Sequence, residues 1–474
     1  MCRIVGIRQQ DQPIEAPLLD RMRDTMAYGG PDAAQSWISE DGRLGFGHRR
    51  LSILDLSEEG TQPFHWNGMT ICFNGEVYNF TEVKKKMPEY EFKSGTDTEV
   101  ILKAFHKWGK ECVHHFRGMF AFAIYAPESG QLVLCRDRVG VKPLYWYLKD
   151  GLFMFASELK AFHQHPAFDT SINHEAVSLF LQQGYIPSPQ CIFKHAHKLE
   201  AGHWMEVDAS LNIKKTKYWS VKQAYAKSET DQRSEDLILE ELEALLKESF
   251  QLRMVADVPV GMFLSGGIDS SLVTALLQNQ YDHPLKTFTI GFEHKERDEA
   301  PYAKKVAEHL GTDHTELYCT ESDATDIIPE FFSIYDEPTG DHSGIPTYLV
   351  SKLAREQVKV SLSADGADEL FGGYAKYQIT KNYYGKVNAL PRIFRKGMSK
   401  MIGTINPDWL ENNRHYFPVL RNYNDLNTKF SKLQNSLSAN DMHDFFNVAS
   451  SFMSPSAVET FVPSPCKTPS APDR

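Results

Sequence analysis

The chain has 474 residues, 42% of them apolar and 24% charged, and a formal net charge of −11. That is the composition of a soluble globular protein, too long for one ordinary core, so two or more domains are expected. The acidic balance argues against a nucleic-acid partner, no apolar run approaches the roughly 18 residues that span a bilayer, and seven scattered cysteines without a CxxC pair indicate neither a zinc site nor a disulfide framework.

Residues 1–205 are dominated by short β-like runs between glycine turns, such as MTICFNGEVYNF, GMFAFAIYAPESGQLVLCRD and GLFMFASE. PESG between two alternating apolar runs predicts a hairpin turn. Strands without long helices between them favour stacked antiparallel sheets. Residues 206–233 are mostly polar and without a clear period, and are expected to be a linker. From Ser234, a suitable N-cap, a helix begins with Leu237, Ile238, Leu242, Leu245, Leu246 and Phe250 on one side.

The second half then alternates. VPVGMFL is a predicted strand and SSLVTALLQNQ a helix; LKTFTIGF is a strand and EAPYAKKVAEHLG a helix ending at Gly311; IPTYLVSKLAREQ is a helix and VKVSLSA a strand. Such alternation implies a doubly wound parallel sheet, with ligands at the C-terminal ends of its strands. Both SGGIDSS and SADGADE fall at such ends. A second domain is therefore expected over 234–462, followed by a proline-rich disordered tail, 463–474.

Cys2 follows the initiator methionine. Removal of Met1 would leave a cysteine whose own α-amine, with a pKa near ~8, could take up the thiol proton. On position alone an ordinary surface cysteine is the commoner reading. The rest of the half changes that balance. GHRRLSILDLS, QPF, FNGEVYNF, SGTDTEVIL, RGMFAFAIY, RDRVGVKPLY and FASELKA follow Cys2 in order. The series resembles the glutaminase half of glutamine-hydrolysing asparagine synthetases, a class II glutamine amidotransferase domain of the N-terminal nucleophile hydrolase fold (α+β).

The resemblance implies roles. Cys2 would be the nucleophile. Arg50 would hold the glutamine α-carboxylate, Asp97 its α-ammonium and Glu76 another polar group. The Asn74 amide and the Gly75 N–H would form an oxyanion hole. Two departures lie close by. The family pattern Met-Cys-Gly reads Met-Cys-Arg here, and His-Arg-Gly-Pro-Asp reads YGGPD, so that Arg3, Tyr28 and Gly29 are unusual.

LSGGIDSS similarly resembles the SGGxDS loop of ATP-pyrophosphatases, which needs no Walker lysine because the bond cut is α–β. Backbone N–H groups of Gly266 and Gly267, the N-terminus of the following helix, and the hydroxyls of Ser265, Ser270 and Ser271 would surround ATP phosphates, with Leu264 on the nucleoside. Ile290, Gly291, Ser363 and Ala364 would line the nucleotide. SLSADGADELFGGY supplies Asp365 at the family's acidic active-site position, and Asp269 with Asp368 would hold Mg²⁺. Ala364 stands where the family has glycine. DEPTGDHSGIPTYLVSKLAR matches the acceptor-side segment.

A further family segment is not found before the chain stops, and the chain is expected to be a C-terminally shortened member with weak ATP binding. The resemblance implies an ATP-dependent amide ligase that makes asparagine from aspartate through an acyl-adenylate, with ammonia released at Cys2 crossing an internal passage. Amidation of another carboxylate, such as a sugar acid, and glutaminase activity alone are the alternatives. Glutamine, ATP and aspartate are the expected partners, without nucleic acid or membrane; a homodimer stays open. The compartment expected is a reducing cytoplasm.

Overall fold

In the computed structural model the protein is described over residues 1–228, 230–293, 298–406, 409, 412–416 and 426–462. The expected tail and Cys466 lie outside these. The described residues form two units. The first comprises 1–172, 188–337 and 342–363; the second comprises 173–187, 338–341 and 364–474.

The first unit opens with twelve strands: β1 (Arg3–Gln9), β2 (Ala33–Ile38), β3 (Leu44–Arg50), β4 (Phe64–Trp66), β5 (Met69–Val77), β6 (Gly118–Ala126), β7 (Gln131–Arg136), β8 (Tyr145–Lys149), β9 (Leu152–Ala156), β10 (Ala196–Lys198), β11 (His203–Val207) and β12 (Ile213–Lys217). They make two six-stranded sheets, ordered β10-β8-β9-β1-β3-β2 and β12-β11-β7-β6-β5-β4. Neighbouring strands are antiparallel.

The period of two sorts each strand between a buried inner and a buried outer face. Ile4, Phe46, Phe153 and Phe155 of one sheet meet Cys72, Ala121, Ala123 and Met205 of the other. Small residues on β6 thus make room for large ones on β9. The outer faces are covered by helices, because they too are apolar. Val5, Ile7 and Met154 pack on Leu19 and Met22 of the helix Ala16–Asp24. Ile71, Phe73, Phe120 and Phe122 pack against Val100, Ile101 and Ala104 of the helix Asp97–Trp108. The stacked antiparallel sheets are as expected; the two covering helices were not read from the sequence.

The PESG turn joins β6 to β7, with Gly130 at φ +63°. Residues 206–217, read from the sequence as the start of a linker, are instead the end of β11 and all of β12. Polar edge-strand residues hid that pattern. The Ser234 side chain accepts the Leu237 N–H at 3.4 Å and caps the helix Glu235–Arg253. The apolar side of that helix is not deeply buried, and Leu237, Ile238 and Leu245 stay exposed.

The same unit contains a parallel sheet of β13 (Val260–Phe263), β14 (Lys286–Phe292), β15 (Asp313–Cys319) and β16 (Val360–Leu362), in the order β15-β14-β13-β16. The helices Ile268–Gln278 and Ala300–Leu310 connect the first three strands, and Gly311 ends the second of these helices in the left-handed region. β15 and the following helix Glu321–Ile334 were not read from the sequence: DHTELYC is half polar, so its burial pattern is weak. The winding reverses between β13 and β16, the place where doubly wound sheets bind ligands.

The second unit is helical among its described residues, with helices His174–Gln183, Ala375–Asn388, Arg392–Gly403, Leu426–Ser438 and Met442–Ser450. Phe452 N–H donates to Gln182 O at 2.8 Å, and Tyr377 stacks on Phe446 at 5.6 Å. Arg395 donates to Ala439 O at 2.9 Å. Among the described residues no helix is long and apolar enough to cross a membrane.

Candidate active site

The pairing of β1 with β3 sets Arg3 opposite Arg49. Just beyond this pair the strand ends bring Cys2 beside Leu51. The Leu51 N–H donates to Cys2 Sγ at 3.3 Å, and the thiol lies 3.6 Å from Leu51 O. A pocket opens at this sulfur, lined by Cys2, Arg50, Gly75, Glu76, Asp97 and, among others, Thr96. Five residues named from the sequence as site residues therefore share one cavity. Leu51, Ile53, Gln62 and Thr98 also line it and were not singled out, although all four stand in or beside quoted motifs.

Gly75 sits on β5 at φ +153°, and an added Cβ would lie 2.2 Å from Met119 O and 2.7 Å from Phe120 Cα. Only glycine fits there. Asn74 is buried next to it. Its Nδ2 donates to Ser157 Oγ at 3.3 Å, while its Oδ1 has no partner among the described residues. Arg50 lines the pocket, but its guanidinium donates to Ser57 O at 2.7 Å and to Asp55 O. It thus also braces the loop that forms one wall.

The electrostatics are those of a closed, acidic site. Burial raises the Cys2 thiol, against the Leu51 amide and the chain amine, which lower it. Burial and the Arg3 charge bring the Met1 amine down to about 5. Burial and the neighbouring Asp97 push Glu76 well above the carboxylate range. Burial carries Asp97 itself up to about 7, although its Oδ2 accepts the Val77 N–H at 2.7 Å. Lys142, from RDRVGVKPLY, is brought down to about 8 by burial and by Arg3. A pocket holding two buried acids that resist ionisation suits a ligand that brings its own ammonium group.

The second motif lies at the C-terminal end of β13. Leu264 is buried, Ser265 and Ser270 hydroxyls lie 3.0 Å apart, and the Gly267 N–H donates to Ser265 Oγ at 3.2 Å. Gly266 adopts φ +79°, and a Cβ there would meet Ala303 N at 2.5 Å. Asp269 stands in the first turn of the following helix. Ser271 Oγ is buried without a partner among the described residues. Ile290 and Gly291 end β14 beside this loop, and Ser363 follows β16.

Ala364, Asp365 and Asp368 belong to the second unit. There Gly366, at φ +98°, leads into the helix Ala367–Phe371, and the Asp368 carbonyl accepts the Gly373 N–H at 3.1 Å. Any Cβ on Gly373 would strike Asp368 Oδ1.

A glutamine amidotransferase domain model matches residues 1–219, and an asparagine synthase model matches residues 241–459. The putative glutamine-hydrolysing asparagine synthetase 2 of Methanocaldococcus jannaschii is 39% identical over 426 residues, covering 85% of this chain and 81% of that protein. Glutamine-hydrolysing asparagine synthetases 1 and 3 of Bacillus subtilis are 34% and 32% identical, over 80% and 79% of this chain. This chain spans 60% and 63% of those two proteins.

Proposed function

Since the chain belongs to the family of glutamine-hydrolysing asparagine synthetases, we propose that it hydrolyses glutamine at Cys2 and uses the ammonia to convert aspartate to asparagine at the expense of ATP. The observation that carries this reading is the single pocket shared by Cys2, Arg50, Gly75, Glu76 and Asp97, residues far apart in the chain.

In the first half-reaction the Cys2 sulfur attacks the glutamine side-chain carbonyl carbon. The α-amine of Cys2, free once Met1 is removed, takes the thiol proton and returns it to the leaving ammonia. Negative charge forms on the carbonyl oxygen, where the Gly75 N–H and the Asn74 amide would stabilise it. The Asn74 amide has a second N–H for that, besides the one it gives to Ser157 Oγ. Water then cleaves the thioester to glutamate. Arg50 would meet the substrate carboxylate and Asp97 its ammonium, with Glu76 on a further polar group.

In the second half-reaction an aspartate carboxylate oxygen attacks the α-phosphorus of ATP and pyrophosphate leaves. Ammonia then attacks the acyl carbon and AMP leaves. The segment Leu264–Ser271 suits phosphate: it runs into the N-terminus of the helix Ile268–Gln278, Gly266 admits no side chain, and the Ser271 hydroxyl is buried without a partner among the described residues. Ile290, Gly291, Ser363 and Ala364 would face the nucleoside, and Asp365 would serve the same site. Asp269, in the first turn of the helix after β13, offers the hard oxygen donor that Mg²⁺ takes, and the family resemblance adds Asp368; when bound, the ion would offset phosphate charge. We assign residues 1–205 to the glutaminase domain, extended by β11 and β12, and the asparagine synthase domain to the region from 234 onward.

The deciding experiment measures asparagine and pyrophosphate with aspartate and ATP, supplied in turn with glutamine or ammonium. Cys2→Ala should abolish the glutamine-driven reaction and spare the ammonium-driven one. Equal glutamine-driven rates in the two proteins would refute the role of Cys2. Absence of pyrophosphate with either nitrogen source would refute the ligase half.

A further inference from the structure

Two of the three unusual residues near Cys2, Arg3 and Tyr28, converge on one carboxylate. Arg3 Nε pairs with Glu158 Oε1, and the Tyr28 hydroxyl donates to Glu158 Oε2. Lys160 Nζ lies 3.0 Å from Glu158 Oε2 and donates to the Tyr28 oxygen at 2.9 Å. The other edge of the Arg3 guanidinium turns back on the chain. Its Nη1 donates to Met1 O at 2.7 Å and to Cys2 O at 3.2 Å.

Gly29 explains why this is possible. A Cβ at position 29 would lie 2.8 Å from Arg3 Cγ, Cζ and Nε. The long side chain at position 3 thus occupies the space that a side chain at 29 would need. Two departures from the family pattern, an arginine gained at 3 and one absent at 29, are therefore one spatial exchange.

The network extends further. Lys160 Nζ is also 3.3 Å from Asp336 Oδ1, and Asp336 Oδ2 accepts the Leu159 N–H at 2.5 Å. Next to it, Glu337 pairs with Lys198 at 2.5 Å and accepts the Ile192 N–H at 2.9 Å. Both acids at the head of the DEPTGDHSG segment are thus held by residues of the antiparallel-sheet part. The side chains of Arg3, Glu158, Lys160 and Asp336 are only 21%, 11%, 20% and 9% exposed. Two cations face two carboxylates, so the cluster is balanced, and removal of any member leaves a charge poorly solvated.

We propose that Arg3 is a positioning residue for Cys2: its guanidinium bridges the Cys2 carbonyl and the Glu158 carboxylate, and Tyr28 and Lys160, the latter paired in turn with Asp336, hold that carboxylate in place. The contact to Cys2 O survives removal of Met1, whereas the contact to Met1 O does not. The fixed fork geometry of the guanidinium suits two partners at a set angle. The proposal rests on Cys2 being the nucleophile of glutamine hydrolysis, and it ties that site to Asp336 in the other half.

The test uses the full chain and two readouts. One is kcat and KM for glutamine hydrolysis without ATP. The other is the rate of Cys2 alkylation by iodoacetamide as a function of pH, read by mass spectrometry of the N-terminal peptide. Glu158→Gln should lower kcat about tenfold while KM changes by less than about twofold, because orientation and not substrate contact is lost. Its alkylation profile should shift along the pH axis. Lys160→Met and Asp336→Asn should act in the same direction but less.

Arg3→Gly should resemble Glu158→Gln, Arg3→Lys should fall between it and the wild type, and Arg3→Gly combined with Gly29→Arg should recover activity, since a guanidinium re-enters the vacated space. Wild-type kcat and alkylation profiles in Glu158→Gln and Arg3→Gly would overturn the proposal. So would losses that follow the melting temperature alone and are not rescued by the double substitution. If the wild-type chain does not hydrolyse glutamine, the reading of Cys2 fails, while the alkylation profiles still decide whether Arg3 positions its thiol.

Discussion

The Asp97 carboxylate accepts the Val77 amide proton at 2.7 Å, one residue along β5 from Glu76, which lines the same pocket. Burial raises Asp97 to about 7 despite that hydrogen bond, and raises Glu76 as well. An ammonium ligand requires Asp97 ionised. KM for glutamine should therefore fall as pH rises through about 7 and level off above it. Asp97→Asn should raise KM roughly ten- to a hundredfold, for loss of a charged contact, and flatten this dependence. A pH-independent KM in the wild type would contradict the assignment. The same shift bears on folding. A carboxyl whose folded pKa exceeds its ordinary 3.8 holds an extra proton in the folded state, so its contribution to stability is complete below that value and is lost as pH rises through about 7.

Gly75→Ala should destabilise the protein by about 2–4 kcal/mol, because the new methyl meets backbone, not a flexible side chain, and φ is unfavourable. The contact distances of 2.2 and 2.7 Å leave no room for relaxation of a few tenths of an ångström. Urea denaturation gives the value. A variant within experimental error of the wild type would mean that β5 and β6 can separate here without cost.

Ser271→Ala separates stability from ligand binding. The hydroxyl is buried and has no partner among the described residues, so its removal should leave the melting temperature unchanged or raise it. If the hydroxyl meets a phosphate oxygen, ATP affinity should weaken by about 0.5–1.5 kcal/mol, roughly two- to twelvefold. Calorimetric titration with ATP measures it, with glutamine hydrolysis as a control that should not change. Unaltered ATP affinity would remove Ser271 from the phosphate site.

Glu99→Gln should be among the most destabilising single changes near the pocket. Glu99 and Lys103 are 1% and 3% exposed and lie 2.5 Å apart, and Glu99 also accepts the Ser94 N–H at 2.7 Å. Losing the carboxylate leaves the lysine charge buried without its partner, at a cost of about 3–5 kcal/mol. Burial raises the Glu99 carboxyl, but Lys103 and the Ser94 and Lys93 amides take it below its ordinary 4.5. Its contribution is therefore present above that pH and is lost as pH falls further. A denaturation midpoint equal to that of the wild type at neutral pH would show that the pair contributes nothing net.

Local chemistry was legible in the residues themselves. Ser234 caps a helix, PESG turns a hairpin, Gly311 ends a helix, and strand–helix alternation announces the parallel sheet, because each depends on dihedral preferences and periodicity among neighbours in sequence. The half-polar strand β15 and the edge strand β12 were not legible, since their burial is set by the strands beside them and not by their own pattern. The candidate site divides in the same way. The residue types at Cys2, Arg50, Gly75 and Asp97 were named from motifs, whereas Leu51 on the sulfur, Arg50 turned to the 55–57 loop, Asn74 turned to Ser157, and Arg3 on Glu158 were decided by the tertiary structure alone. Arg3 and Glu158 are 155 residues apart, and what joins them is the pairing of β1 with β9 in one register. Sheet order and register follow from packing the whole apolar surface at once, and no local stretch of sequence encodes that sum.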